Sequence, residues 1–439
     1  MTAAALPALP PRARSLRAQV FAATWLSYAG FYCTRKVFSV TKGPIKAALH
    51  IDDLHVSHLF TTYLVAYMLG QFLAAWLSQR VTNRTQLLLG MTVSVGCNVA
   101  MGALLGSGGS HAYFAIAAVM AVHGIAQATG WPCNVGLMGV WTRRAERGRV
   151  MAAWTTSYQL GSVFAKALAA FLFGALGLLW SFWGAAAVLG LVTLFFMFAA
   201  RESPESCGLA PFEPEETAPV TTSADAVPDA AQTAQADLRE SEANRRRMSI
   251  VLAMGMIYFA FKFLRYALDS WSVLIITEHF TTSTTSAGYI STAFDWIGFL
   301  GVLFAGWLSD RLGSRVKVIV FMTLGMVVAS GLLWSVGLSS VTAFGVILGL
   351  IGFMCMGPDS LLSGAGAVDT GSPRRAAIAA GIINGCGSVG PIVQEPMIGW
   401  LKTNYGVGSV MTLLFGVSVA AAIGVFAFRA RVRRLGFRL

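Results

Sequence analysis

The chain has 439 residues, of which 56% are hydrophobic and only 12% charged, with a formal net charge of +12 and a mean hydropathy of +0.65. That composition excludes an ordinary soluble enzyme and indicates a polytopic membrane protein. Most basic residues sit in short connections between apolar runs, a distribution that reports membrane orientation rather than nucleic-acid binding.

In chain order, residues 1–16 are rich in Ala, Pro and Arg, lack an apolar core, and read as a cytoplasmic tail rather than a cleaved signal. Apolar stretches long enough to span a bilayer, about 20 residues, then recur at 17–40, 57–79, 86–107, 112–140, 149–174 and 177–200. After a gap they resume at 249–277, 286–308, 316–337, 341–368, 374–400 and 406–429. The expected fold is therefore an all-α membrane protein of 12 transmembrane helices, with bundles over 17–200 and 249–429 and a tail over 430–439. The intervening 201–248 is rich in Ala, Pro, Thr, Glu and Asp, has almost no large apolar residues before Arg245-Arg246-Arg247, and reads as a flexible cytoplasmic linker.

Charge orients the helices. Arg12, Arg14, Arg17, Arg80, Arg84, Arg143, Arg147, Arg149, Arg245, Arg311, Arg315, Arg374, Arg375 and Arg429 fall on one side, against Lys42, Lys46 and Lys402 on the other. By the positive-inside rule both termini are cytoplasmic. The six cysteines, at 33, 97, 133, 207, 355 and 386, form no CxxC pair and read as packed thiols, with no disulfide framework and no metal site.

Two segments break the apolar pattern. Tyr32-Cys33-Thr34-Arg35-Lys36 places adjacent cations inside the first span, and Lys262-Phe263-Leu264-Arg265-Tyr266 repeats the arrangement 230 residues later. An Arg or Lys at a helix centre costs roughly 2.5–3.5 kcal/mol on insertion scales, so each needs a partner or a polar cavity. Trp76-Leu77-Ser78-Gln79-Arg80 recurs as Trp307-Leu308-Ser309-Asp310-Arg311 at an offset of 231, and Gly130-Trp131-Pro132 as Met356-Gly357-Pro358 at 226. Matching landmarks at one spacing imply two pseudo-symmetric six-helix bundles related by an axis along the membrane normal.

These motifs resemble the major facilitator superfamily, through Leu-Ser-Asp-Arg-x-x-x-Arg at 308–315 and its degenerate copy from Leu77 to Arg84. Within it they resemble the organophosphate:phosphate antiporters. That likeness rests on Tyr28 to Phe38 (Tyr-x-x-x-Tyr-x-x-Arg-Lys-x-Phe), Gly124 to Trp141 (Gly-x-x-Gln-x-x-Gly-Trp-Pro, closing on Trp), and Arg265, Tyr266 and Trp271. The resemblance implies that Arg35 and Arg265 bind a phosphoryl group, and that Asp310, Arg311 and Arg80 belong to a gating motif. The chain departs from the family where Gln71 replaces a lysine, Tyr158 followed by Gln159 replaces a histidine, Gln79 replaces an acid, and Glu395 stands where a small residue is expected.

Two facing guanidiniums suit a tetrahedral dianion, because each offers a planar fork of donors. The expected substrate-binding set is Arg35, Arg265, Tyr32, Tyr158, Gln159, Tyr266, Gln71, Lys36 and Lys166. Lys36 lies about 100° round the helix from Arg35, so packing and ligand contact are both open to it. Asp269, Asp295, Asp359, Glu395 and Lys262 form the expected coupling or salt-bridge set, the acids pairing with the cations in the empty state. His123, one turn before Gln127, reads as a hydrogen-bonded packing residue. No phosphate-cradling P-loop or nucleophile elbow occurs, so no covalent chemistry, enzyme activity or cofactor is expected.

The expected function is exchange of a phosphorylated organic anion for inorganic phosphate across the cell inner membrane, by a monomer embedded in the lipid bilayer, without nucleic acid. A proton-coupled carrier of another solute, motivated by Gln71, Tyr158 and Glu395, is the first alternative. A membrane sensor of hexose phosphate signalling to a kinase is the second.

Overall fold

The computed structural model describes residues 10–78, 80–107, 112–212, 230–362 and 373–434. Gln79, the ends of both tails and 213–229 of the linker lie outside the described residues, as do the side chains of Arg374 and Arg375. The described residues form helices and no strands. They group into two units, one of residues 1–51 and 59–215, the other of 52–58 and 216–439.

The first unit holds α1 (Pro11–Val40), the short α2 (Lys42–Leu49), most of α3 (Asp53–Leu77), α4 (Asn83–Ser107), α5 (Ala112–Gln127), α6 (Gly130–Val140), α7 (Arg144–Leu176) and α8 (Leu178–Ala199). Helices α5 and α6 are one span bent before Gly130-Trp131-Pro132, where the proline cannot donate to the helix ladder. The second unit holds α9 (Ala230–His279), α10 (Thr284–Leu312), α11 (Arg315–Ser335), α12 (Val341–Ser360) and α13 (Pro373–Arg434). Helix α13 is two helices joined at Gly406, whose φ of +76° favours glycine.

Ten segments among the described residues are long and apolar enough to cross a membrane. The last of them contains both arms of α13, and the hydropathy of α1 is diluted by Thr24, Ser27, Tyr28, Tyr32, Thr34, Arg35 and Lys36. Counting both arms and α1 gives the expected twelve. Their outer faces are apolar: Phe114, Phe198 and Met256 are 79%, 70% and 69% exposed. Water would penalise such a surface, whereas hydrocarbon accepts it.

The stretch read as a linker is fastened at both ends. Trp141 Nε1 donates to the Arg201 carbonyl at 3.1 Å, and the Asn83 and Arg84 N–H groups at the start of α4 donate to the Glu202 carboxylate at 3.1 and 2.8 Å. That carboxylate satisfies orphan donors and opposes the helix dipole. At the other end α9 begins at Ala230, nineteen residues before the expected start at 249. The run Ala-Ala-Gln-Thr-Ala-Gln-Ala-Asp-Leu-Arg-Glu from 230 combines strong helix formers, so propensity carries the helix upstream of its apolar part.

The internal repeat is visible in packing. In the first unit α1 packs on α7; in the second, α9 packs on α13. A Cβ on Gly161 of α7 would sit 2.8 Å from Ala29 Cα, and one on Gly390 of α13 would sit 2.7 Å from the Phe259 carbonyl oxygen. Gly161 and Gly390 are 229 residues apart, Ala29 and Phe259 230. The same close approach thus stands six residues before Arg35 and before Arg265.

Candidate functional site

Arg35 lies on α1 and is 8% exposed. Its Nε and Nη2 donate to Gln127 Oε1 at 3.3 and 3.2 Å, and its Cζ lies 5.0 Å from the Tyr32 ring centre and 4.9 Å from that of Tyr67. Among the described residues no carboxylate pairs with it. An amide oxygen and two π-faces hold the guanidinium without neutralising it. Lys36 Nζ lies 5.5 Å from the same Tyr32 ring. A column of rings runs up α3 to this point: Phe60 stacks on Tyr63 at 5.5 Å and Tyr63 on Tyr67 at 6.1 Å. Gln71 is half-buried one turn beyond Tyr67.

The Gln127 side chain is itself fixed. Its Nε2 donates to the Phe31 carbonyl at 3.1 Å and to Thr34 Oγ1 at 2.8 Å, and lies 3.1 Å from His123 Nε2. Asn98 Nδ2 donates to the Ser94 carbonyl at 3.1 Å and lies 3.4 Å from the same His123 nitrogen. Arginine only donates and a carbonyl only accepts, so the Gln127 amide has one orientation. Phe31 and Thr34 take up both Gln127 hydrogens, so Asn98 Nδ2 is the donor left for His123 Nε2, which accepts and carries its ring proton on Nδ1. His123 is a neutral acceptor that lies against the Gln127 amide, 3.1 Å from its Nε2.

On α7, Tyr158 is half-buried, Lys166 is fully buried, and Gln159 Nε2 is buried with no hydrogen-bond partner among the described residues. An unsatisfied buried amide donor is a cost unless something else fills it.

In the second unit Arg265 Nη1 donates to Asp359 Oδ2 at 2.9 Å, and its Cζ lies 6.0 Å from the Tyr266 ring centre. Lys262 Nζ lies 4.9 Å from the Tyr258 ring centre and 3.5 Å from Ser388 Oγ. Asp269 follows Arg265 by one turn of α9, and Asp295 is 4% exposed on α10. Glu395 is fully buried beside Pro396; it accepts from Trp271 Nε1 at 3.1 Å, Gln394 Nε2 at 2.9 Å and Ser270 Oγ at 3.4 Å. These three donors, from α9 and from its own helix, are neutral.

In the repeated Trp-Leu-Ser segments, Arg80 Cζ stacks 4.5 Å from the Trp76 ring and Arg311 Cζ 5.4 Å from the Trp307 ring, while Asp310 is exposed at the end of α10. Each half uses the same i, i+4 cation–π pair.

The residues that sequence reasoning missed are Asn98, Tyr63 and Tyr67. Tyr63, Tyr67 and Gln71 recur at intervals of four on one helix face, a signal that could have found the two tyrosines. Asn98 carries no such signal, because its contact depends on how α4 packs on α5.

A family model described as Major Facilitator Superfamily matches residues 24–268 and 250–437. Sugar phosphate exchanger 3 of Bos taurus is 24% identical over 434 residues, covering 88% of this chain and 87% of that protein. A Chlamydia trachomatis protein named "Probable hexose phosphate transport protein" is 26% identical over 429 residues, covering 93% and 90%. Among solved structures, a bacterial homolog to the human lysosomal transporter Spinster, inward-facing and unoccupied, superposes with a TM-score of 0.71 at 15% identity over 97% of both chains.

Proposed function

Because this chain belongs to the Major Facilitator Superfamily, we propose that it is a secondary transporter exchanging a phosphorylated organic anion for inorganic phosphate by alternating access. The observation that carries the reading is Arg35: a buried guanidinium held by the neutral Gln127 and two tyrosine faces. Its charge is left for an anion. Arg265 is the second phosphoryl-binding cation, held by Asp359 until the substrate arrives. Tyr32, Tyr67 and Tyr266 offer faces to the organic part, and Gln71, Tyr158, Gln159, Lys36 and Lys166 supply further polar contacts. The names of the relatives, sugar phosphate exchanger and hexose phosphate transport protein, support the substrate class.

The reading includes an inner-membrane location and a monomeric state, the default for this architecture, and the distribution of arginines between connections supports cytoplasmic termini. Terminal epitope tags cleaved by protease only in inside-out vesicles would bear this out; cleavage of either tag in right-side-out vesicles would count against it.

Reconstituted protein is expected to exchange labelled phosphate for internal phosphate and for a hexose or glycerol phosphate. Arg35→Lys should lose most of this flux, since a compact ammonium does not reproduce the two-pronged grip. Full exchange by the Lys variant would overturn the assignment. Phosphate binding without any counterflow would favour a sensor instead.

The second reading is proton coupling, supported by a fully buried carboxylate, Glu395, that accepts from Trp271, Gln394 and Ser270. Uptake driven by a pH gradient without counter-phosphate, and lost in Glu395→Gln, would establish it over antiport.

A further inference from the structure

Away from Arg35, the first unit contains a cavity of about 510 Å³ lined by Arg14, Arg17, Ala18 and Phe21 of α1 and by Arg149, Val150 and Ala153 of α7. The α1 residues recur at i, i+3, i+4 and i+7, so they form one face, and the α7 residues occupy a single turn of the helix packed on it. Three guanidiniums converge here. Glu146 takes up one of them, with Arg17 Nη1 at 2.6 Å from Glu146 Oε1. Arg14 and Arg149 are exposed. The cavity therefore carries an excess of positive charge, and like charges held together are stabilised by an anion between them.

We infer that this cavity binds the phosphate headgroup of an anionic membrane lipid. The chemistry recognised is a phosphate ester, which a soluble phosphate shares. Two features select the lipid. The floor of Ala18, Phe21, Val150 and Ala153 is apolar, which suits the glycerol backbone and first acyl carbons and offers nothing to inorganic phosphate. The position also fits, because the membrane-crossing segment of α7 begins at Arg149, where a helix enters the headgroup layer. Basic pockets between helix ends at that level are where anionic headgroups are held. Arg17 is pre-oriented by Glu146, so its fork is set before the lipid arrives.

The test uses the full chain purified in detergent and titrated with phosphatidylglycerol or phosphatidylcholine, with bound lipid counted by native mass spectrometry. The wild type should retain phosphatidylglycerol over phosphatidylcholine. Arg14→Gln/Arg149→Gln should weaken retention roughly tenfold or more, from the loss of two interfacial charges. Arg14→Lys/Arg149→Lys should retain the lipid. Thermal unfolding confirms that each variant is folded, and if the double Gln variant cannot be purified, either single variant should show a smaller loss. Unchanged retention in a folded Gln variant, or equal retention of both lipids, would overturn the inference. Displacement of phosphatidylglycerol by millimolar inorganic phosphate in wild type but not in the Lys variant would assign the cavity to a soluble anion, and overturn the lipid assignment.

Discussion

Arg35 is held by a chain of neutral polar side chains. Asn98 aims an amide donor at His123 Nε2, which lies against the Gln127 amide, and the same Gln127 turns its oxygen to the guanidinium. Removing the acceptor leaves the second Asn98 N–H buried and unsatisfied, a cost of about 1–3 kcal/mol. We expect His123→Leu to raise the apparent KM for phosphate about tenfold, on that scale, with the maximal exchange rate largely kept, because the Gln127 amide loses the polar ring packed against it. His123→Gln restores an acceptor near the same place and should recover most of the affinity. Exchange kinetics in proteoliposomes decide it: identical KM values for the Leu and Gln variants would remove His123 from the positioning chain. Arg35 was legible in the sequence because a charge inside an apolar run is conspicuous. Its supporting shell was only partly so. Gln127 sits in a recognisable motif and His123 one turn before it, but the identity of their partners is set by three-dimensional packing.

At the scale of elements, the repeat that spaced motifs announced returns as geometry. The contacts Ala29–Gly161 and Phe259–Gly390 let α1 meet α7, and α9 meet α13, at one point in each half. A side chain there must displace backbone. Gly161→Val and Gly390→Val should each cost about 1–3 kcal/mol by overpacking, seen as a lower midpoint of thermal unfolding in detergent. Substitution at Gly139, where nothing lies within 4 Å, should leave the midpoint unchanged. Equal midpoints for all three would mean the close approaches are not stabilising. Helix ends were read less well than helix identities. The start of α9 moved upstream because Ala, Gln, Glu and Arg favour helix whether or not they face lipid, and hydropathy alone is blind to that preference. The joint within α13 was located in the sequence by the gap between 400 and 406, and Gly406 supplies the left-handed residue that turns the chain.

Taken whole, the molecule is a doubled fold with an uneven distribution of charge. Its first half secures an arginine through an amide, its second through a carboxylate. Asp359 is a resident rival for anything that approaches Arg265. A monovalent oxyanion brings Arg265 little that Asp359 does not already provide, while a divalent one brings more. The carrier would then sort its cargo by valence. Exchange of a phosphate monoester should climb as pH rises through that group's second ionisation, near about 6. Asp359→Asn should flatten the climb and admit singly charged anions. The same climb in the Asn variant would show that Asp359 does no sorting. With the rival in place, sulfate-like dianions become the natural inhibitors and carboxylates of single charge become poor ones, so a fold built by duplication gains from the different partners of its two arginines a means of telling one ionisation state from the next.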